Sequence, residues 1–523
     1  MAVSSPATIA VLMRTNRLLY DSSLGPRLLL GDGVCLSTSE QLISFSRFMN
    51  ASRMSRYCYL QALTISRGGF SPEALSALTQ VLVHPSLKIA SLILRDAERI
   101  LSSGSRGEWD KSDAGVLFFN ALQNIRTLKH LVIDDLDERA STLLRGQSSA
   151  LVSASLTLNS SLSQWHRAGQ YDPDSYNPIV LLANSADTLE MLDGRGFDVN
   201  PDNVMYDVVY PRVWRVCASY WSDSMPATAP YVHSYPNLEH LALTRSPARS
   251  LRSGTHAGNS DASIATQVFQ RRHTNKQDQM DYGSWQRLRV VEGTVQDVFI
   301  LGLVCHVPHV RLCGEFAAAN LADVLADVKP ETLSLTVTGG HWFEQDGAAS
   351  VALAWPEAQC LHSLELEICF APEERDKDLQ HFLTHLTRIL AHMPALRSFS
   401  LTLNLGLIIH PQRGQRDSPG PSEEYHCPMV SCLRAFDAET HATLLKADVP
   451  SLEDATIKVC AERTWNEYMM PSQSRRSMMP SEWGSLLEEA DADGDGSASE
   501  EEEIVPELAE LGFGTIDDDE DGW

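Results

Sequence analysis

Residues 491–502, DADGDGSASEEE, offer the most concentrated metal-ligand chemistry in the chain. Asp491, Asp493 and Asp495 alternate ahead of Gly496, Ser497 follows, and Glu502 closes the run, in the order that hard oxygen ligands take around calcium. Ala498 stands where such a loop carries a larger aliphatic residue, and Glu503 follows where an apolar residue would open the exit helix. A solvated acidic segment is therefore the expectation. Cys305, His306, His309 and Cys313 are zinc-compatible types at short spacing, but VCHVPHVRLC reads as a core strand and turn, and strand alternation sends neighbouring ligands to opposite faces. His381 and His385 stand one helical turn apart. Phe382 occupies the place of a zinc protease's glutamate, and with Arg388 and His392 the pair forms a polar helix face. The chain has no phosphate-binding loop, nucleophile elbow or dinucleotide fingerprint. The expectation is a protein that is not an enzyme and has no cofactor and no metal site.

The elements that would position any site are repetitive. A phrase with apolar residues at its first, fourth and sixth positions recurs at Leu60, Leu63, Ile65; at Leu128, Leu131, Ile133; at Leu238, Leu241, Leu243; at Leu361, Leu364, Leu366; and at Leu396, Phe399, Leu401. Weaker copies stand at Leu87, Ala90, Leu92, at Pro330, Leu333, Leu335 and at Leu452, Ala455, Ile457. The fourth and sixth positions alternate as a strand requires, so the residue between them faces the other way. Helical patterns separate the phrases. Leu379, Phe382, Leu383, Leu386, Ile389, Leu390 and Met393 follow a 3.6-residue period that ends at Pro394. Ser71 and Pro72 suit an N-cap and first turn ahead of Leu75, Leu78 and Leu82. Helix, short turn and strand make one unit of about 30 residues, and such units stack into a solenoid of irregular period.

Composition and charge narrow the function classes. The 523 residues are 43% hydrophobic and carry a formal charge of −26. Residues 482–523 hold 17 Asp and Glu and no Lys or Arg, so the rest of the chain is mildly acidic. A cationic partner surface for nucleic acid or an anionic membrane is not expected. Arg245, Arg249, Arg252, Arg271, Arg272 and Lys276 form a basic island in a Ser/Gly/Asn-rich stretch, which reads as a solvated loop and as a possible salt-sensitive contact for the acidic tail. The longest apolar run, near Val298 to Val307, is about half of the ~20 residues a membrane span needs. The short run Ile9 to Met13, behind a Met1 to Pro6 segment with no basic cluster, does not make a secretory signal. Ten cysteines without C-x-x-C spacing read as reduced thiols, which makes the sequons at Asn50 and Asn159 chance and the expected location cytoplasmic or nuclear.

On these phrases, residues 56–465 resemble the leucine-rich-repeat family, with its L-x-x-L-x-L strand and an Asn after the strand at Asn404. The implied fold class is α/β: an irregular leucine-rich-repeat solenoid with a curved parallel sheet, outer helices, an N-terminal helical cap and a disordered acidic tail. Glu365, Ser400 and Thr456 are then expected on the open face as partner-binding residues. Loop insertions are expected at 245–283 and 409–426, and 466–523 as linker and tail. Residues 165–230 do not resolve into units. Residues 1–55 read as a capping segment, with Ile9, Leu12, Met13, Asn16 and Leu19 along one helical face. ATIAVLMRTNRLLY, followed by the Leu-rich segment and LSTSEQLISFSRFM, also resembles the second half of the F-box of fungal F-box proteins with leucine-rich repeats. The first half, an L-P-x-E-[IL] helix, has no counterpart. The resemblance implies a protein partner on the repeat surface, docking of the Skp adaptor through Leu12, Met13 and Leu19, and substrate recognition for a cullin-type ubiquitin ligase. The alternative is a repeat scaffold with no ligase role.

Overall fold

The computed structural model describes residues 33–51, 56–101, 113–159, 176–197, 206–221, 225–246, 261–344, 346–405, 408 and 428–460. Residues Leu12, Met13 and Leu19, the 409–426 insertion, the calcium-like run and the acidic tail lie outside them. The described residues build one parallel sheet of 14 strands in chain order. Its strands are β1 (Val34–Leu36), β2 (Ala62–Ser66), β3 (Ser91–Arg95), β4 (His130–Leu136), β5 (Ser153–Leu158), β6 (Met191–Arg195) and β7 (Arg215–Trp221). They continue as β8 (His240–Ser246), β9 (Val290–Thr294), β10 (His309–Cys313), β11 (Thr332–Thr338), β12 (Ser363–Cys369), β13 (Ser398–Asn404) and β14 (Asp454–Cys460). The fold is α/β and solenoid-like, with the helices layered on one face of the sheet.

The register explains why the phrase recurs. Leu333, Leu364, Phe399 and Ala455 are direct partners along one row, and Leu335, Leu366, Leu401 and Ile457 along the next. Phe399, Leu401 and Ile457 line one cleft together with residues of the helices Leu379–Ala391 and Ala438–Asp448, so the fourth and sixth positions face the helical layer. Leu241, Leu243, Leu364, Leu366, Phe399 and Leu401 are all at most 5% exposed, as expected of them. Burying one such side chain contributes about 1.5–3 kcal/mol.

The same frame holds where the leucine pattern fades. Leu151, Ala154 and Leu156 set β5; Leu189, Leu192 and Gly194 set β6; Val213, Val216 and Ala218 set β7. Leu288, Val291 and Gly293 set β9, and Val307, Val310 and Leu312 set β10. Residues 165–230 thus contain two ordinary units whose sixth position is Gly or Ala. The weak copy at Leu87 is shifted by two residues: Ile89, Leu92 and Leu94 are the buried set. The sheet also begins at Val34, ahead of the boundary expected at 56, because Thr38 and Gln41 form a capping box that starts the Ser39–Asn50 helix immediately after β1. Ser71 accepts from the Ala74 N–H, with Pro72 in the first turn, as the sequence indicates.

The loop expected at 245–283 is corrected over 261–282, while residues 247–260 lie outside the described residues. Asp261–Tyr282 is a 22-residue helix. Hydrophobic periodicity misses it because its buried stripe, Val268, Arg272, Asn275 and Gln279, is mostly polar. That stripe satisfies the C-terminal carbonyls of the short Val295–Leu301 helix, which helical geometry leaves without intrahelical donors. Arg272 donates to the Phe299 carbonyl at 2.7 Å, Asn275 to Ile300 at 2.8 Å, and Gln279 to Leu301 and Gly302 at 3.1 and 3.0 Å. Gly302 takes φ 54°, and a Cβ there would stand 2.9 Å from the Arg272 carbonyl oxygen, so glycine is required on both counts. Three members of the basic island are correspondingly not a solvated patch, while Arg249 and Arg252 lie outside the described residues. Arg245 pairs with Asp297 at 2.9 Å, and Arg272 and Lys276 both pair with Asp327, at 2.7 and 2.6 Å. Those three cations serve the fold, which removes them as ready contacts for an acidic tail.

Candidate interaction face

The fifth residue of each phrase, between two helix-facing positions, must emerge on the opposite face of the sheet. In register these residues form one row: Glu292, Arg311, Ser334, Glu365, Ser400 and Thr456 across β9 to β14. Glu365 and Thr456 are exposed and Ser400 is half-buried, so the three expected open-face residues lie side by side on adjacent strands. Towards the N-terminus the same row is interrupted: Ile93, Ser155, Asp193 and Cys217 are 8%, 8%, 1% and 6% exposed, while Thr64, Val132 and Ala242 are half-buried and Cys35 is exposed. The longest unbroken accessible stretch of the row therefore runs from β8 to β14, and its polar and charged members from β9 to β14.

Short hydroxyl side chains dominate it. Thr332, Ser334, Thr336 and Thr338 on β11 and Ser398, Ser400 and Thr402 on β13 flank Glu365 and Glu367 on β12. At its inner end stands a charged cluster: Glu292 meets Arg311 at 2.7 Å and His240 at 3.3 Å. Burial raises the Glu292 carboxyl, but the hydrogen bond and charge of His240 and the charge of Arg311 outweigh it and hold the group below the usual range. Asp193 is clamped by Arg195 at 2.9 Å and accepts from Ser155 at 3.3 Å. Glu292 and Arg311 went unrecognised because the phrases at Leu288 and Val307 have Gly or Val at positions where leucine carried the signal, and His240 because it is the third residue of its phrase at Leu238, where only the fifth was followed to the open face. Applying the frame there would have found them.

A cleft of about 350 Å³ opens beyond the C-terminal ends of β11 and β12. Phe343, Phe370, Phe382 and Met429 line its floor, and Glu344, Lys377, His381 and His385 its rim. Lys377 bridges Glu344 at 2.6 Å and Glu374 at 3.0 Å, and that hydrogen bond, ahead of the nearby charges, holds Glu344 below the usual carboxylate range. His381 and His385 lie 4.8 Å apart between ring centroids, and the described residues hold no group of three or more side chains that could bind a metal. Cys305, His306, His309 and Cys313 likewise form no cluster: His306 and His309 are exposed, while burial pushes both thiols up to about 11. Among the described residues no helix is long and apolar enough to cross a membrane.

One titration is expected to tune the stability of the array. His130, first in β4, shares a hydrogen bond with Ser153 Oγ at 2.8 Å, and burial, then the charge of Lys129, lowers its pKa below 6.5. A group that is harder to protonate folded than unfolded supports stability above pH 6.5 and loses that support as pH falls through the lowered value. Unfolding midpoints measured from pH 7.5 to 5.5 should fall more steeply for the wild type than for His130→Asn. Parallel profiles would exclude His130 as the source. No family model and no curated protein matches the chain.

Proposed function

We propose that the chain is a protein-binding adaptor of the leucine-rich-repeat type, acting in the cytoplasm or nucleus, whose partner lies across β9 to β14. The observation that carries the reading is the row Arg311, Ser334, Glu365, Ser400 and Thr456, in which exposed and half-buried members alternate, a broad file of short and charged side chains on one sheet. Such a surface suits an extended protein segment better than a small substrate, which needs enclosure. Its resemblance to the leucine-rich-repeat family is supported further by Asn159, which stands nine residues into its phrase just as Asn404 does, and both are buried. Burial also removes Asn159 as a glycosylation acceptor. The F-box resemblance of residues 7–49 extends the proposal to substrate recognition for a cullin-type ubiquitin ligase, with Leu12, Met13 and Leu19 on the Skp adaptor.

Co-purification of the full chain with the Skp adaptor, followed by identification of the other bound proteins, tests both parts. Glu365→Arg combined with Thr456→Arg should weaken capture of a partner by about tenfold or more, with an unchanged melting temperature. Capture that survives both substitutions would overturn the assignment of this face. Partner capture without the adaptor would make the chain a repeat scaffold with no ligase role.

A further inference from the structure

The sheet ends on β14, and among the described residues no strand pairs with its outer edge. An unpaired edge is a template for another strand, and proteins blunt it by shortness, charge or a cover. β1, at the other end, has 3 residues; β14 has 7, and Val459 on it is 37% exposed. The charges of β14 are arranged symmetrically. In Asp454-Ala-Thr456-Ile-Lys458, opposite charges flank Thr456 on the open face, both exposed.

We propose that β14 is a dimerisation edge whose occupant is the β14 of a second copy, antiparallel and centred on Thr456. In that register Asp454 of each copy opposes Lys458 of the other, Ala455 opposes Ile457, and Thr456 opposes itself. A two-fold axis through Thr456 perpendicular to the sheet keeps helices beside helices and open face beside open face, and closes the assembly at two copies. A parallel register would instead set Asp454 against Asp454 and Lys458 against Lys458, so the charge pattern selects the antiparallel one.

The adjoining helix repeats the arrangement. In Ala438–Asp448, Ala442 and Leu445 are buried, and His441, Leu444 and Asp448 turn towards the Leu379–Ala391 helix. Helical spacing then puts Glu439, Thr443 and Lys446 on the side next to the open edge, and all three are exposed. Glu439 and Lys446 flank Thr443, so an antiparallel second helix again meets opposite charges. One seven-residue strand pair is short of the ~1,200 Å² typical of a stable interface, and the two helices supply the remainder.

Sedimentation equilibrium on the full chain tests the inference. The wild type should dimerise with rising concentration. Asp454→Lys and Lys458→Asp should each raise the dissociation constant about tenfold or more, since each replaces two attractive cross-strand pairs by two repulsive ones. Mixing those two variants should restore a mixed dimer, and so should the double exchange in one chain. As an independent readout, Thr456→Cys should give an oxidised dimer in which peptide mapping finds the substituted position of one copy bonded to the same position of the other, because opposed Cα atoms in an antiparallel pair lie ~4.5–5.5 Å apart. A monomer at all concentrations, a dimer indifferent to both charge variants, or variants that do not recover on mixing would overturn the proposal. So would a monomer whose β14 amides resist exchange, since its own chain would then cover the edge.

Discussion

Asn275→Ala should lower the unfolding free energy by about 3–5 kcal/mol, since each buried polar group left without a partner costs about 1–3 kcal/mol. Asn275 is 0% exposed. Its Oδ1 accepts from the Thr228 N–H at 3.1 Å, and its Nδ2 donates to the carbonyls of Pro226 and Ile300 at 2.9 and 2.8 Å. The alanine variant strands one donor and two acceptors in a site too dry to rehydrate them. Asn275→Asp should be intermediate or as severe, since it keeps the acceptor but loses both donors. Gln277→Ala on the exposed side of the same helix is the control. Its side chain binds Asp281 on the surface, and losing it should cost less than about 0.5 kcal/mol. Urea unfolding of the three variants decides the matter. A change below about 1 kcal/mol for Asn275→Ala would mean that this helix is not integral to the array.

The second large effect is expected at Asp297. It sits in the first turn of the Val295–Leu301 helix, 0% exposed, accepts from the Tyr220 hydroxyl and pairs with Arg245 at 2.9 Å. Burial first, and then the negative charge of Asp297, raises the Tyr220 hydroxyl well above its ordinary value, which keeps it protonated as the donor. Asp297→Ala leaves a buried hydroxyl and a three-quarters-buried guanidinium without their acceptor, at a cost of about 3–5 kcal/mol. Tyr220→Phe removes one neutral donor and should cost about 1–2 kcal/mol. The double variant should cost less than the sum of the singles, because the two groups share one bond. Additive effects in that cycle would show that the carboxylate stabilises chiefly through Arg245 and its helix N-terminus.

What the sequence made legible follows from which residues carry free energy through apolar area. Leu128, Leu131 and Ile133, or Leu361, Leu364 and Leu366, fill all three buried positions with large side chains, and their strands are where the pattern puts them. At β6, β7 and β9 the sixth position is Gly194, Ala218 or Gly293, and at the two glycines even a Cβ would require its neighbours to shift by a few tenths of an ångström. A Cβ on Gly293 would lie 3.1 Å from the Leu243 carbonyl oxygen, and one on Gly194 3.3 Å from the Phe197 ring. A small residue there is as much part of the design as a leucine, but has no periodic signature. The long Asp261–Tyr282 helix was illegible for the opposite reason. Its inward stripe is chosen for hydrogen bonds, so polarity that resembles a loop is the mark of a buried polar spine. The open-face residues Glu365, Ser400 and Thr456 could be named because alternation follows from the strand period alone, whereas the aromatic cleft is assembled from three separate connections and has no local pattern.

The unbroken chain order of the sheet also has a bearing on synthesis. Every strand from β2 onward pairs first with the strand made just before it, so no unit waits for a distant segment in order to find its template. Ribosomes add ~5–20 residues per second, and local strand and helix formation takes microseconds. A unit can therefore dock on its finished neighbour seconds before the following one emerges, which keeps the exposed growing edge to a single strand at a time. The nascent protein grows by templated addition, and the sticky end that outlasts each step is passed along the array until β14 holds it.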